Sequence, residues 1–193
     1  MKHWILYFFV GINFLNAQQK VEILEEVVVI GQTPPKYDTQ KELKGKKYFT
    51  QLTSENIFVV SNHYQKKASK LVGIKFVFDA SDLKADAVFI RPVILFENME
   101  EVLTLSKRFP LTETTKEVVF NFSEAPILLE ENKNYLIGFE ILDENKTRKT
   151  IKVMTAVQKG SYSLLKMSPS ANWMRVDNDL RGYSLNYTLF FTY

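Results

Sequence analysis

The sequence predicts an all-β protein, a two-sheet antiparallel sandwich of about eight or nine strands. The middle of the chain, from Glu117 to Leu142, contains two segments in which apolar residues alternate strictly; Val118, Phe120 and Phe122 share one face of the first. Such alternation is typical of strands, because successive side chains of a strand point to opposite faces. Similar short segments lie on both sides of this stretch, and no convincing amphipathic helix separates them. This pattern favours a sandwich.

The composition fits one soluble domain with short extensions. The chain has 193 residues, of which 46% are apolar and 24% are charged, and these proportions are typical of globular proteins. A net charge of +3 is too small to indicate a nucleic-acid partner or an anionic membrane. The absence of cysteine excludes a disulfide framework and a thiol nucleophile.

The first 17 residues have the pattern of a cleaved secretory signal. Lys2 and His3 precede an apolar run from Trp4 to Leu15, and Ala17 is a small residue suited to cleavage before Gln18. The run is shorter than the roughly 20 apolar residues that a membrane span needs. We therefore expect an exported protein, peripheral to the membrane, in the periplasm, on the outer-membrane surface or outside the cell.

Residues 18–47 are polar and contain one apolar island, so we expect a flexible arm with a short strand-prone segment. The segment Leu24–Gly31 resembles the TonB box of outer-membrane nutrient transporters. That resemblance implies that a strand made of Val27, Val28, Val29 and Ile30 is added to the sheet of a periplasmic partner. The alternative is an edge strand of the chain's own sandwich.

Strand signals follow along residues 48–193, which we assign to the sandwich domain. Val72, Ile74, Phe76 and Phe78 share a face, and Pro92 indicates an edge or a bulge. Polar turn residues separate the runs. The predicted strands are Ile57–Val60, Leu71–Phe78, Val88–Phe96, Met99–Phe109, Val118–Phe122, Tyr135–Ile141, Ile151–Val157, Ser161–Met167 and Tyr183–Tyr193.

Five features between Leu71 and Tyr193 carry a family resemblance: the segments Gly73–Phe78, Ile90–Phe96, Tyr135–Glu140 and Gly160–Tyr162, and Trp173 before the final strand. Through them this region resembles a jelly-roll-like β-sandwich domain of secreted Gram-negative envelope proteins, which is associated with carboxypeptidase-regulatory-like domains. The resemblance implies an accessory or surface-associated module and provides no catalytic residues.

Candidate catalytic groups are few. His63 is the only histidine expected in the exported chain, and we expect it on the surface or in a loop, because no nucleophile elbow accompanies it. One histidine without cysteine also makes a zinc site improbable. A carboxylate pair for glycan hydrolysis is the enzymatic alternative, but Glu130 and Glu131 are adjacent in a turn. Asp177 and Asp179 are weak calcium candidates, and solvated turn acids explain them as well.

Trp173, with Asn172 and Arg175 beside it, is the best candidate for ligand binding. An aromatic ring in a turn-rich loop can stack on a sugar, and the two neighbours supply hydrogen-bonding groups. The alternative is that Trp173 folds back to cap the open end of the sandwich. Glycine patterns for phosphate or dinucleotide binding are absent from the sequence, so we expect no cofactor.

Together these observations predict an exported, non-enzymatic β-sandwich that binds a protein or glycan partner at the cell envelope. A small outer-membrane β-barrel is the first alternative, because the last strand alternates aromatics up to Tyr193. A carboxylate-dependent enzyme acting on glycans is the second. The sequence does not indicate an oligomeric state.

Overall fold

The chain folds into two antiparallel sheets. The computed structural model describes residues 29–30, 37–54, 57–83, 88–99, 101–103, 108–144, 149–168, 170–176 and 183–192. Across these residues the structure is all-β apart from one turn of 3₁₀ helix, Ser81–Leu83. The predicted two-sheet sandwich is confirmed, because the described strands form two separate sheets and not the single closed sheet of the first alternative. The described strands number nine in one sheet and seven in the other, more than the eight or nine predicted.

The first sheet has the order β1-β9-β5-β12-β15, with four further strands paired at its sides. Its strands are β1 (Val29–Ile30), β2 (Thr39–Glu42), β3 (Lys46–Ser54), β5 (Ser69–Asp79), β9 (Glu117–Asn121), β10 (Ile127–Leu129), β12 (Lys149–Val157), β15 (Tyr183–Leu185) and β16 (Tyr187–Thr192).

The second sheet has the order β14-β13-β4-β11-β6-β7, and β8 pairs with β6 beside β7. Its strands are β4 (Ile57–Gln65), β6 (Val88–Phe96), β7 (Glu101–Leu103), β8 (Phe109–Leu111), β11 (Lys133–Leu142), β13 (Ser163–Lys166) and β14 (Met174–Val176).

The sandwich begins before residue 48, since β2 pairs with β16 and β3 begins at Lys46. All four residues of β2 are exposed. A strand of this kind at a sheet's side buries no apolar face and therefore leaves no apolar alternation in the sequence. This explains why a segment that reads as a polar arm is part of the first sheet.

A β-bulge interrupts the pairing of two predicted strands, β5 and β16. The pairing of β5 with β16 shifts register so that Phe190 lies opposite Gly73 and Phe191 opposite Leu71. Leu71 therefore joins the core between the sheets, while Val72 packs on the outer face against Phe190. A bulge switches the face that a residue occupies, so the prediction that Val72 shares the face of Ile74 is wrong.

The core between the sheets is built around phenylalanine rings. Phe76 and Phe78 of β5 meet Phe139 of β11 with ring centroids 5.1 and 5.3 Å apart. Phe120 of β9 meets Phe109 of β8 at 5.2 Å. The rings of the facing sheets pack edge to face, a geometry that adds to the stabilisation from burial.

Phe139→Ala should lower the free energy of unfolding by about 3 to 5 kcal/mol, because it empties a site at the centre of this cluster. Leu128→Ala is the matched control: Leu128 is 59% exposed, so its truncation should change stability by no more than about 0.5 kcal/mol. Denaturant unfolding of both variants measures the difference. Equal midpoints for wild type and Phe139→Ala would show that the two sheets do not pack through this ring.

Candidate functional site

The candidate ligand residues lie at one side of the second sheet. Asn172 is exposed just before β14, Trp173 directly precedes the strand, and Arg175 lies within it. Arg175 is opposite Leu164 of β13, and Met174 is opposite Leu165. Because successive residues of a strand point to opposite faces, Trp173 and Arg175 share the outer face and Met174 points the other way.

The outer face of this sheet is apolar at its centre. Val60, Val93, Leu95, Leu136 and Leu164 form a buried cluster there, separate from the core between the sheets. The half-buried rings of Phe58, Tyr162 and Trp173 pack against the cluster. Trp173 therefore covers the outer face of the second sheet, and the alternative in which it caps the open end of the sandwich is wrong.

A positively charged side chain lies over each of these three rings. The Arg175 guanidinium lies over the Tyr162 ring, 4.4 Å from its centroid. The Lys166 ammonium lies 5.8 Å from the centroid of Phe58 and 5.7 Å from that of Trp173, and these two rings meet edge to face at 6.1 Å. We call these five side chains the outer-face patch. Cation–π contacts hold both cations against the sheet.

Backbone register explains how residues distant in sequence meet in the patch. Lys166 of β13 lies opposite Phe58 of β4. The side chain of Asn62 accepts from the Tyr162 backbone N–H at 2.8 Å and donates to the Gly160 carbonyl at 3.2 Å. These two bonds fix the turn that presents Tyr162. Burial raises the pKa of the Tyr162 hydroxyl, and so does the nearby Glu97.

An ion pair borders the patch on the same face. Glu140 of β11 lies opposite Phe58 and, on its other side, opposite Arg91 of β6. The Arg91 Nε donates to a Glu140 carboxylate oxygen. The Glu140 side chain is almost fully buried and Arg91 is partly exposed, so a negative charge adjoins the rings without being open to solvent.

Sequence reasoning identified Trp173 and Arg175 but missed Phe58, Tyr162 and Lys166 as members of the same patch. The alternation within Tyr162, Leu164 and Lys166 was the available signal, since period two places these three side chains on one face. Their proximity to Phe58 was not readable, because it depends on pairing between strands about 100 residues apart.

The apolar island of the arm is partly described. Val29 pairs with Asn121 and Ile30 with Phe120, so these two residues form an antiparallel strand on β9 of the same chain. This pairing matches the alternative of an edge strand in the chain's own sheet. Val27 and Val28 lie outside the described residues.

The calcium candidates Asp177 and Asp179 also lie outside the described residues. The described residues hold no group of three or more histidine, cysteine or acidic side chains that could bind a metal ion. Glu130 and Glu131 are both exposed in the turn before β11.

His63 lies on β4 and is only 4% exposed, so the expectation of a surface or loop histidine is wrong. Its ring stacks on Phe191 at 6.4 Å and meets the edge of Tyr187 at 6.3 Å. The Gln65 side-chain oxygen lies 3.0 Å from Nε2. The apolar run ends at Val60, but the strand continues through polar residues to Gln65, and this is why the sequence pattern underestimated β4.

No protein-family model matches the sequence, and a comparison with curated proteins finds no match. Among the described residues, no helix has the length and apolar character required to cross a bilayer.

The buried imidazole should make stability fall on acidification. Burial, and next the charge of Lys41, lower the pKa of His63 from 6.5 to about 4, and the Gln65 bond only partly opposes this. The unfolded chain therefore takes up a proton below about pH 6.5 that the folded chain takes up only near pH 4. Between pH 7.5 and pH 5 the wild type should lose about 2 kcal/mol that His63→Gln does not lose.

Urea unfolding of both proteins at the two pH values measures this difference. The stability of each protein at pH 5 is compared with its own stability at pH 7.5, so any pH-independent destabilisation by His63→Gln cancels. Parallel losses in the two proteins would show that the imidazole is protonated equally well in the folded state.

Proposed function

We propose that this chain is an exported, non-enzymatic β-sandwich module that binds a glycan at the cell envelope through the outer-face patch. The stacking of Lys166 and Arg175 on half-buried rings is the observation that carries the proposal. Sugar rings pack their C–H faces on aromatic surfaces, while their hydroxyl and acidic groups take hydrogen bonds from fixed donors. The patch offers both on a rigid sheet.

The site favours binding over catalysis. Its cations are positioned by ring contacts. Two described carboxylates adjoin the patch: that of Glu140 is bonded to Arg91, and that of Glu97, near Tyr162, accepts from the Asn134 side chain at 2.9 Å. His63 is held between Phe191 and Tyr187 inside the sandwich. A glycosidase requires two carboxyl groups flanking the bond that breaks, and no such pair is part of this patch.

The proposal includes the jelly-roll-like character of the domain and its place among secreted Gram-negative envelope modules. These rest on the sequence segments that resemble that class and on the two-sheet architecture. Export rests on the basic start and apolar run before Gln18. A peripheral position at the envelope, in the periplasm, on the outer-membrane surface or outside the cell, follows from that signal.

Binding can be followed by tryptophan fluorescence. Trp4 and Trp173 are the two tryptophans of the chain; in protein that begins at Gln18 only Trp173 remains, so the emission reports on this residue alone. A glycan array with the full chain selects the ligand, and titration then gives its affinity. Trp173→Ala should lower the affinity about 30-fold, the usual effect of removing an aromatic anchor, with binding in this variant measured by calorimetry.

Met174→Ala is the matched control, because Met174 neighbours Trp173 but points to the other face of β14. It should leave the affinity unchanged. Arg175→Gln should weaken acidic glycans more than neutral ones. A glycan that binds Trp173→Ala as tightly as wild type would place its site elsewhere, and failure of every glycan on the array would refute the proposed ligand class.

The proposed signal cleavage predicts which residue is the N-terminus of the mature protein. Protein recovered from the envelope or medium of a Gram-negative host should begin at Gln18. Intact mass and N-terminal sequencing test this, and an Ala17→Arg variant, which places a large charged residue at the cleavage position, should accumulate uncleaved. Envelope protein that retains Met1 would overturn the signal assignment.

A further inference from the structure

A second site lies where the edges of the two sheets part. The strand β13 pairs with β4 only from Phe58 to Ser61, whereas β4 continues to Gln65. Beyond this point β4 is paired on its other side, by β11. The facing edge of the first sheet is β2, which pairs with β16. Among the described residues, a lateral cleft of about 410 Å³ opens between them.

The lining of this cleft is basic. Lys41 comes from β2, and Lys66 and Lys67 come from the turn between β4 and β5. None of the described residues that line the cleft is acidic, and none of the described salt bridges involves these three lysines. The three positive charges therefore converge without a lining carboxylate to balance them.

Strand geometry directs Lys41 into the cleft. In the pairing of β2 with β16, Lys41 lies opposite Leu189 and Thr39 opposite Phe191. Leu189 and Phe191 both belong to the core between the sheets. Thr39 and Lys41 thus share the inward face of an edge strand. Desolvation and then the charge of Lys66 lower the pKa of Lys41, which is the direction that repulsion between two ammonium groups gives.

A directed chain of hydrogen bonds ends at the cleft wall. The Gln65 amide nitrogen donates to the Lys67 carbonyl and to Ser69 Oγ, the latter at 2.7 Å. A carbonyl can only accept, so the amide oxygen of Gln65 must face His63 Nε2, and that nitrogen must carry the proton. Ser69 Oγ accepts from Gln65 and so keeps its own proton to donate.

We propose that this cleft binds the carboxylate or sulfate group of an acidic sugar. Three lysines supply charge, and the hydroxyl of Ser69 supplies a neutral donor to the same oxyanion. Phe191 provides an apolar wall for the sugar ring. A bound anion relieves the repulsion between Lys41 and Lys66, which is a direct source of binding energy. The volume of the cleft lies within the range of small-molecule sites.

This site is separate from the outer-face patch, because its residues come from β2, the β4–β5 turn and β5. It does not require the patch to bind a glycan. The two proposals can therefore fail independently.

The test uses the full chain and three probes at constant ionic strength: trigalacturonate, sodium sulfate and triglutamate. Calorimetry should detect trigalacturonate binding, and sulfate should compete with it. Lys41→Gln and Lys66→Gln should each weaken trigalacturonate about tenfold, the usual effect of losing one charge-assisted contact. Ser69→Ala should weaken it less.

Lys70→Gln is the matched control, because it removes the same charge from an exposed residue next to Ser69 that does not line the cleft. It should bind trigalacturonate like wild type. Equal weakening by Lys70→Gln would show non-specific attraction to lysines and overturn the site. Absence of binding by trigalacturonate and sulfate, or tighter binding by triglutamate, would likewise overturn the acidic-sugar assignment.

Discussion

The edge-to-face packing of Phe76 against Phe139 is the contact on which the rest of the structure depends. It joins the central region of one sheet to that of the other with ring centroids 5.1 Å apart. Phenylalanine rings that interdigitate in this way fill the roughly 10 Å between packed sheets. Because alternate residues of each strand fill the core, the residues between them form the outer faces, and the outer-face patch is built from these.

The strand β4 changes character along its length, and this change shapes the edge of the sandwich. Its inward residues run from Ile57 and Val59 through Ser61 to His63 and Gln65. At the middle, Leu185 N–H donates to Ser61 Oγ at 2.8 Å, while the Ser61 and Ser163 hydroxyls lie 2.7 Å apart. Ser163 Oγ donates in turn to the Tyr183 carbonyl at 3.0 Å. This polar chain ties β4 and β13 of the second sheet to β15 of the first, and the cleft opens beyond it.

The sequence predicts the core well and the edges poorly, for one physical reason. Strands with a buried face must alternate, so Phe120, Phe139 and Leu189, all fully buried, were predictable as core residues. The strand β2 buries no such face, and the second half of β4 is polar where it lines the edge. Trp173 was recognisable as a candidate because it is an isolated aromatic in a polar loop. Its partners were not, since contact between Lys166 and Phe58 requires knowing which strands pair and in which register.

Both proposed sites include residues of β4, so both depend on the register in which β4 pairs with β11. Phe58 and Asn62 of β4 point outward to the patch, while Gln65 points inward and lines the cleft. Nine residues of β4 pair with β11 without interruption, and Gly138 of β11 lies so close to β4 that a Cβ there would meet the Val59 carbonyl oxygen at 1.8 Å. A slip of one residue would exchange the two faces. It would also place a residue that has a Cβ where Gly138 now lies against the Val59 carbonyl oxygen, and the two would clash. The close contact at Gly138 therefore disfavours the shifted register, in which neither proposed site would form.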